Sequence, residues 1–487
     1  MNREGKIQIS EFYRDKILAP AAQKSYRGQW HELVLLNKAY ALMLKRSGYL
    51  DEKQCGLIMQ GLDRVEKNMT GESIKGETED VFFALQEGLY REIGQETGGL
   101  LHTGRSRNDI FAATGRMEVR KSIWRIGEML IRLMEKLLEE AGRSKSEPFI
   151  YYTFGQPSQP GKLGHYYLYL FQGFARDFRR LRHAYGNTNR CPMGAAAGIG
   201  TSFDVDRELM CGLLGFDEVI VNTLEAVSSC DYILETQMAV SLLMGNVSRV
   251  LTDLYTWCSW ESGLWDCSYG ICAGSSIMPQ KKNPAAVEYA RSRAAHTAGN
   301  LIDMTILYQK SSTFPNIDNM ELLYNYEEGM EQAAQALGEL TEILYNSEPR
   351  RGMIARNMEE SLIGATALAE HLSQKFDIPF TKGHDIVTGM VRALAQRGRI
   401  SQAAMTSELM REISEQVLGA ARWIDDDEIR KTLDARSCTD NIITEGAPTE
   451  AQIDKMLESG KGELARCQAW LEESMARVEN AYAAIIN

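Results

Sequence analysis

The stretch Val240-Ser241-Leu242-Leu243-Met244-Gly245-Asn246-Val247-Ser248-Arg249-Val250-Leu251-Thr252-Asp253-Leu254-Tyr255-Thr256-Trp257-Cys258 places Val240, Met244, Val247, Leu251, Leu254 and Cys258 at alternating spacings of four and three. That alternation keeps one apolar edge of a helix facing its neighbours, as in the seam of a left-handed bundle. The same phase recurs at Val119, Ile123, Ile126, Leu130, Leu133 and Leu137. It recurs again at Val287, Ala290, Ala294, Thr297, Leu301, Met304 and Tyr308. Met330, Ala333, Leu337, Leu340 and Leu344 form a fourth, weaker series. No series of alternating β-branched strands accompanies them, and no G-x-G-x-x-G follows a strand. The predicted fold is all-α, with a central bundle of long helices.

Proline usage points the same way. There are 11 prolines in 487 residues and none between Met193 and Met278. Proline removes a backbone donor and clashes with the preceding turn, so its scarcity suits long helices. Working outward, residues 1–115 hold shorter helical patterns, including Leu33–Lys45 and Gln54–Lys67. Residues 116–365 carry the bundle series, which Glu348-Pro349-Arg350 and Arg351-Gly352 interrupt. Residues 366–487 form a C-terminal helical region, with patterns at Gly383–Arg397 and Thr449–Met456. Three domains are expected at these boundaries. Arg176, Arg179, Arg180 and Arg182 lie at helical spacing and are read as a solvated or intersubunit face.

Composition excludes several classes. The formal net charge is −12, from 54 Lys+Arg against 66 Asp+Glu, which opposes nucleic-acid binding. Nine cysteines occur without C-x-x-C spacing, so neither a disulfide framework nor structural zinc is expected. Seven histidines include no H-x-x-x-H pair, which removes the zincin reading. No apolar run is long enough to cross a membrane, and the opening MNREGKIQIS lacks a signal-peptide core. A reduced, cytoplasmic protein without metal is the expectation.

Two segments are too polar and glycine-rich for a bundle seam. Leu101-His102-Thr103-Gly104-Arg105-Ser106-Arg107-Asn108-Asp109 precedes the first long helix. Guanidinium groups beside free backbone N–H groups at a helix start make a natural carboxylate site. An ordinary polar cap through Asn108 or Asp109 reads equally well. Gly274-Ser275-Ser276-Ile277-Met278-Pro279-Gln280-Lys281-Lys282-Asn283-Pro284 joins the proline-free stretch to the third series. Ser275 beside Lys281 and Asn283 is a candidate activated hydroxyl with an electrostatic stabiliser. A plain interhelical loop is the alternative.

The string from Ser275 to Pro284 resembles the signature of the fumarase/aspartase superfamily, and His102–Asp109 resembles its argininosuccinate lyase branch. Further matches are Gly48-Tyr49-Leu50, Glu79-Asp80, Thr153…Gln156…Gln159-Pro160…Leu163-Gly164-His165, Asn222–Ser228, Asp377-Ile378-Pro379-Phe380 and His384-Asp385-Ile386-Val387. The resemblance implies a three-domain helical lyase that cleaves a substituted succinate and releases fumarate. In it Ser275 is the base, while Lys281 and Asn283 stabilise the dianionic intermediate. Ser106, Arg107, Asn108, Thr153, Gln156 and Asn316 bind substrate. It also implies a homotetramer in which the 102–109, 153–160 and 275–283 strings converge from different subunits. An anionic small molecule is the expected partner, with no organic cofactor.

Several family positions differ here. The family's T-H-L-Q is Thr153-Phe154-Gly155-Gln156, so an acid–base histidine becomes Phe154. A second histidine, in E-D-I-H, becomes Phe82, and the arginine of S-D-R-D becomes Cys230. Within Pro315–Leu323, Asn316 and Asp318 persist, whereas the tyrosine, glutamine and second lysine associated with the arginine moiety do not. Groups for the fumarate half are kept and those for argininosuccinate's other half are lost. The expected activity is β-elimination from another N-substituted aspartate or succinate. Argininosuccinate lyase proper and a non-catalytic scaffold are the alternatives.

Overall fold

Apolar spacing becomes burial most completely along the first bundle series. Val119, Ile123, Ile126, Leu130, Leu133 and Leu137 are each at most 1% exposed. A computed structural model of the chain describes residues 9–71, 74, 80–398 and 400–486. Its longer elements, in chain order, are α1 Ala19–Arg46, α2 Glu52–Asn68, α3 Val81–Ile93 and α4 Arg107–Arg143. The strands β1 Pro148–Thr153 and β2 Gln156–Lys162 follow, then α5 Leu163–Thr188 and α6 Asp231–Trp257. After β3 Trp265–Cys267 come α7 Ala285–Lys310, α8 Ile317–Tyr345 and β4 Ser347–Pro349. The chain ends in α9 Ala365–Phe376, α10 Phe380–Gln396, α11 Ser407–Leu418 and α12 Glu450–Ile486.

The fold is predominantly helical, as the periodicity predicts. Helices α4, α5, α6, α7 and α8 share one continuous core with α12, through Ile453, Leu457, Cys467, Leu471 and Val478. A second core joins α1, α2 and α3 to the first turns of α4, and a third lies within residues 362–433. The Thr449–Met456 pattern is only the start of α12, which runs 37 residues back along the bundle. Its later turns bury too few strong apolar residues for a periodic reading to extend it.

Strand pairing departs from the sequence expectation in one useful place. β1 and β2 form an antiparallel hairpin, β3 pairs with β4, and Arg190–Cys191 pairs with Glu218–Val219. Pro157 and Pro160 hide β2 from pattern reading, yet a two-stranded ribbon leaves edges where proline needs no partner. The proline-free stretch is also not one long helix. Glycines at positive φ (Gly194, Gly198, Gly200 and Gly215) turn the chain before α6 begins.

Helix α7 is buried along a narrow stripe only. Val287, Ala290, Ala294, Thr297 and Met304 face the core, while Tyr289, Ile302 and Ile306 are 60–64% exposed. No helix among the described residues is long and apolar enough to cross a membrane.

Candidate active site

The loop carrying Ser275 is closed at its neck and braced from below. Ala273 and Asn283 exchange both backbone hydrogen bonds at 2.9 Å, so the intervening residues project as a compact excursion. Inside it, the backbone N–H groups of Met278 and Ile277 donate to Ser275 Oγ at 3.0 and 3.4 Å. Hydrogen bonds to an oxygen favour its anionic form, so these two donors lower the cost of ionising the hydroxyl. Asn283 Nδ2 donates to the Gly274 carbonyl at 3.4 Å.

The two adjacent lysines divide the work. Lys282 Nζ donates to both Asp266 carboxylate oxygens, at 3.1 and 3.2 Å, and lies 4.5 Å from the Tyr269 ring centre. Arg350 Nη2 reaches the same carboxylate at 3.0 Å. These two cations hold the Asp266 carboxyl below its usual value, against the opposing effect of its partial burial. Lys282 therefore ties the loop to β3. Lys281 is exposed, and its ammonium makes no hydrogen bond or ion pair among the described residues.

At the start of α4 the polar-cap reading is realised, through Ser106 and Asp109. Ser106 Oγ accepts from the Asn108 N–H at 3.3 Å, and Asp109 Oδ1 accepts from the Ser106 N–H at 3.1 Å. The other Asp109 oxygen accepts from the N–H groups of Gly194 (3.2 Å) and Ala196 (2.9 Å). Asp109 thus fastens the glycine-rich 194–200 turn to the helix. Burial raises its carboxyl to about 6, against the lowering effect of these donors and Arg105. Arg107 Nη1 donates to Asp80 Oδ2 at 2.7 Å, its guanidinium lying 4.6 Å from the Phe83 ring centre. Asp80 also caps α3 by accepting from the Phe83 N–H. Glu79 lies outside the described residues.

This end of α4 is electropositive. Arg105 is buried, donates to Asn37 Oδ1 at 2.7 Å and stacks 4.7 Å from the Tyr40 ring centre. His102 is held neutral: partial burial, then Arg105 and Arg107, lower its pKa to about 4. Phe82 is 1% exposed and packs beside His102 and Phe83, in the N-terminal core. Cys230, in place of the family arginine, is also buried.

The hairpin presents Thr153 and Gln156 opposite each other at its end, with Phe154 and Gly155 as the turn. Both turn residues take positive φ, 52° and 73°, which matches the twist of the strands. Left-handed φ costs a non-glycine residue about 1–2 kcal/mol. Phe154 bears that cost while wholly exposed, with no contact in its own chain to repay it. The base of the hairpin is rigid. Gly161 lies under the Tyr151 ring, where a Cβ would sit only 2.4 Å from the ring carbon Cζ. His165 Nε2 lies 2.9 Å from the Gly446 carbonyl and so carries the proton, leaving Nδ1 to accept from the Tyr151 hydroxyl at 2.6 Å. His165 is therefore committed to anchoring the hairpin base, away from the tip.

Asn316 caps α8, its Oδ1 accepting from the Asn319 N–H and the Ser311 hydroxyl, each at 3.3 Å. Among the described residues, no hydrogen bond or ion pair links the 102–109, 153–160 and 275–283 segments within one chain. Sequence reasoning did not anticipate the bracing of the loop by Asp266 and Arg350, which are distant in sequence and carry no motif. Nor did it anticipate the Tyr151–His165 anchor, although the positive-φ glycine after Phe154 is a hairpin signal in retrospect.

Comparison with known proteins gives a consistent result. A family model described as "Lyase" matches residues 8–299. The chain is 33% identical over 381 residues to an argininosuccinate lyase of Pseudomonas putida, covering 78% of this chain and 82% of that protein. It is 29% identical over 448 residues to argininosuccinate lyase 1 of Shouchella clausii, covering 91% and 89%. Among solved structures, an EDDS lyase variant with bound fumarate matches at TM-score 0.87 and 24% identity, over 100% of this chain and 96% of that one. A class II fumarase from Schistosoma mansoni matches at TM-score 0.71 and 15% identity, over 89% and 97%.

Proposed function

Since the chain belongs to the argininosuccinate lyase family and is a carbon–nitrogen lyase, we propose that its substrate is an N-substituted aspartate other than argininosuccinate, cleaved by β-elimination to fumarate and an amine. Ser275, as its alkoxide, removes a proton from the carbon next to a carboxylate. The electron pair moves into that carboxylate, giving a dianionic intermediate, and Lys281 and Asn283 stabilise the added charge. The C–N bond then breaks, its electron pair passing to a nitrogen that is already protonated as an ammonium or takes a proton from water, so that the double bond of fumarate forms and a neutral amine leaves. Ser106, Arg107, Asn108, Thr153, Gln156 and Asn316 hold the carboxylates and orient the succinyl half.

The observation that carries this reading is the state of position 154. A wholly exposed phenyl ring stands where the family places a histidine, and it transfers no proton. The turn around Ser275 keeps its two N–H donors, so the proton-abstracting half is supported while the leaving-group half is altered. A ring at the tip suits a less polar leaving group. Fumarate, bound by the EDDS lyase variant of the same fold, is the product we assign to the succinyl half.

We further propose a cytoplasmic homotetramer, built on the 116–365 region, with each active site shared between subunits. The lack of any hydrogen bond or ion pair between the three strings among the described residues of one chain supports this, as does the exposed apolar face of α7. Elimination is reversible, so fumarate incubated with a panel of primary amines and arginine tests the reading. Mass spectrometry should find adducts of apolar amines in preference to arginine. A preference for arginine would identify argininosuccinate lyase proper, and no adduct with any amine would favour a scaffold.

A further inference from the structure

Three cysteines surround the base of the Ser275 loop, and none has a part in the proposed elimination. Cys258 caps the C-terminal end of α6, Cys267 ends β3, and Cys272 stands three residues before Ser275. Cys258 Sγ and Cys267 Sγ are 3.5 Å apart, while Cys272 Sγ lies 3.8 Å from the Cys267 carbonyl oxygen. A disulfide needs a separation of about 2.0 Å, so the pair is one small approach from bonding. Cys258 is partly exposed and gives an oxidant access, whereas Cys267 is 4% exposed.

We propose that Cys258 and Cys267 form a reversible disulfide whose closure shifts the braced base of the Ser275 loop. Hydrogen peroxide is the oxidant. The Cys258 thiolate attacks a peroxide oxygen: an S–O bond forms, the O–O bond breaks, and the departing hydroxide takes a proton to become water. The Cys267 thiolate then attacks that sulfur. The S–S bond forms, the S–O bond breaks, and a second water leaves. A dithiol returns both sulfurs to thiols by exchange. Closure draws Cys267 toward α6, and the adjoining Asp266 carries Lys282, hence Lys281 and Asn283, with it. The arrangement is independent of which substrate the site takes.

The test uses the full-length protein and no activity assay. After brief treatment with hydrogen peroxide, peptide mapping should find Cys258 joined to Cys267, with the linked peptides lighter by two hydrogen atoms. Two of the nine thiols should be lost to alkylation and restored by dithiothreitol. Amide hydrogen exchange across residues 268–284 should slow on oxidation and recover on reduction. Cys258→Ser should abolish both effects. The proposal is overturned if peroxide oxidises other thiols without forming this link, if Cys272 replaces Cys258 in it, or if the link forms with exchange unchanged.

Discussion

The backbone N–H of Met278 points at Ser275 Oγ from 3.0 Å, with Ile277 N–H converging on the same oxygen from 3.4 Å. A serine hydroxyl is too weakly acidic to act as a base unless its anion is held, and in the proposed mechanism these two donors hold it. Ser275→Ala is expected to lower kcat for fumarate release by about 10²–10⁴-fold, the usual range for removing a positioned base. The melting temperature should be unchanged, because the hydroxyl contacts only its own turn. Absorbance in the fumarate band and circular dichroism melting check the two halves.

His102 gives a pH signature at the other string. Partial burial and the neighbouring Arg105 and Arg107 lower its pKa from 6.5 to about 4, so the folded state resists protonation where the unfolded chain accepts it. Its contribution to stability is present above pH 6.5 and is lost as the pH falls toward 4. Wild-type stability should therefore fall more steeply than that of His102→Gln between pH 6.5 and 4, as read from urea midpoints. The His102 imidazole signals should show no titration between pH 5 and 8.

Phe154 is strained and bare in one chain, which fits a residue that acts elsewhere. Phe154→Ala should leave the hairpin and the melting temperature intact, since the ring is wholly exposed. In the assembled enzyme it should raise KM by about 10–100-fold, corresponding to loss of about 1.5–3 kcal/mol of apolar burial. An unchanged KM would place the ring outside the leaving-group site.

In the proposed tetramer the outer face of α7 lies between subunits. A charge at Ile302 or Ile306 meets solvent in a single chain but apolar surface in a bundle of subunits. Ile302→Glu and Ile306→Glu should lower the sedimenting mass and abolish fumarate release together. Helicity should be retained, because neither residue touches the chain's own core.

Much of this architecture is legible from spacing. Val119–Leu137, Val240–Leu254 and Met330–Leu344 fall on buried faces because one periodicity satisfies both helix geometry and a shared core. Tyr308, the last residue of the α7 series, is instead 39% exposed. The hairpin escaped for a physical reason. Its second strand contains Pro157 and Pro160, and the packing of the Tyr151 ring over Gly161 leaves no periodic trace. Ser275 and Arg107 stand out by residue type. The carboxylates that position the neighbouring cations, Asp266 under Lys282 and Asp80 beside Arg107, are paired only by the fold.

Fumarate release from an N-substituted aspartate other than argininosuccinate is the activity proposed for this chain. Its most direct test is kcat/KM for fumarate release from argininosuccinate and from a panel of N-alkyl and N-aryl aspartates, under one set of conditions. At least one panel member should be turned over with kcat/KM at least about 10²-fold above argininosuccinate, the discrimination expected when a polar half-substrate loses its partners. Argininosuccinate as the best substrate would contradict it.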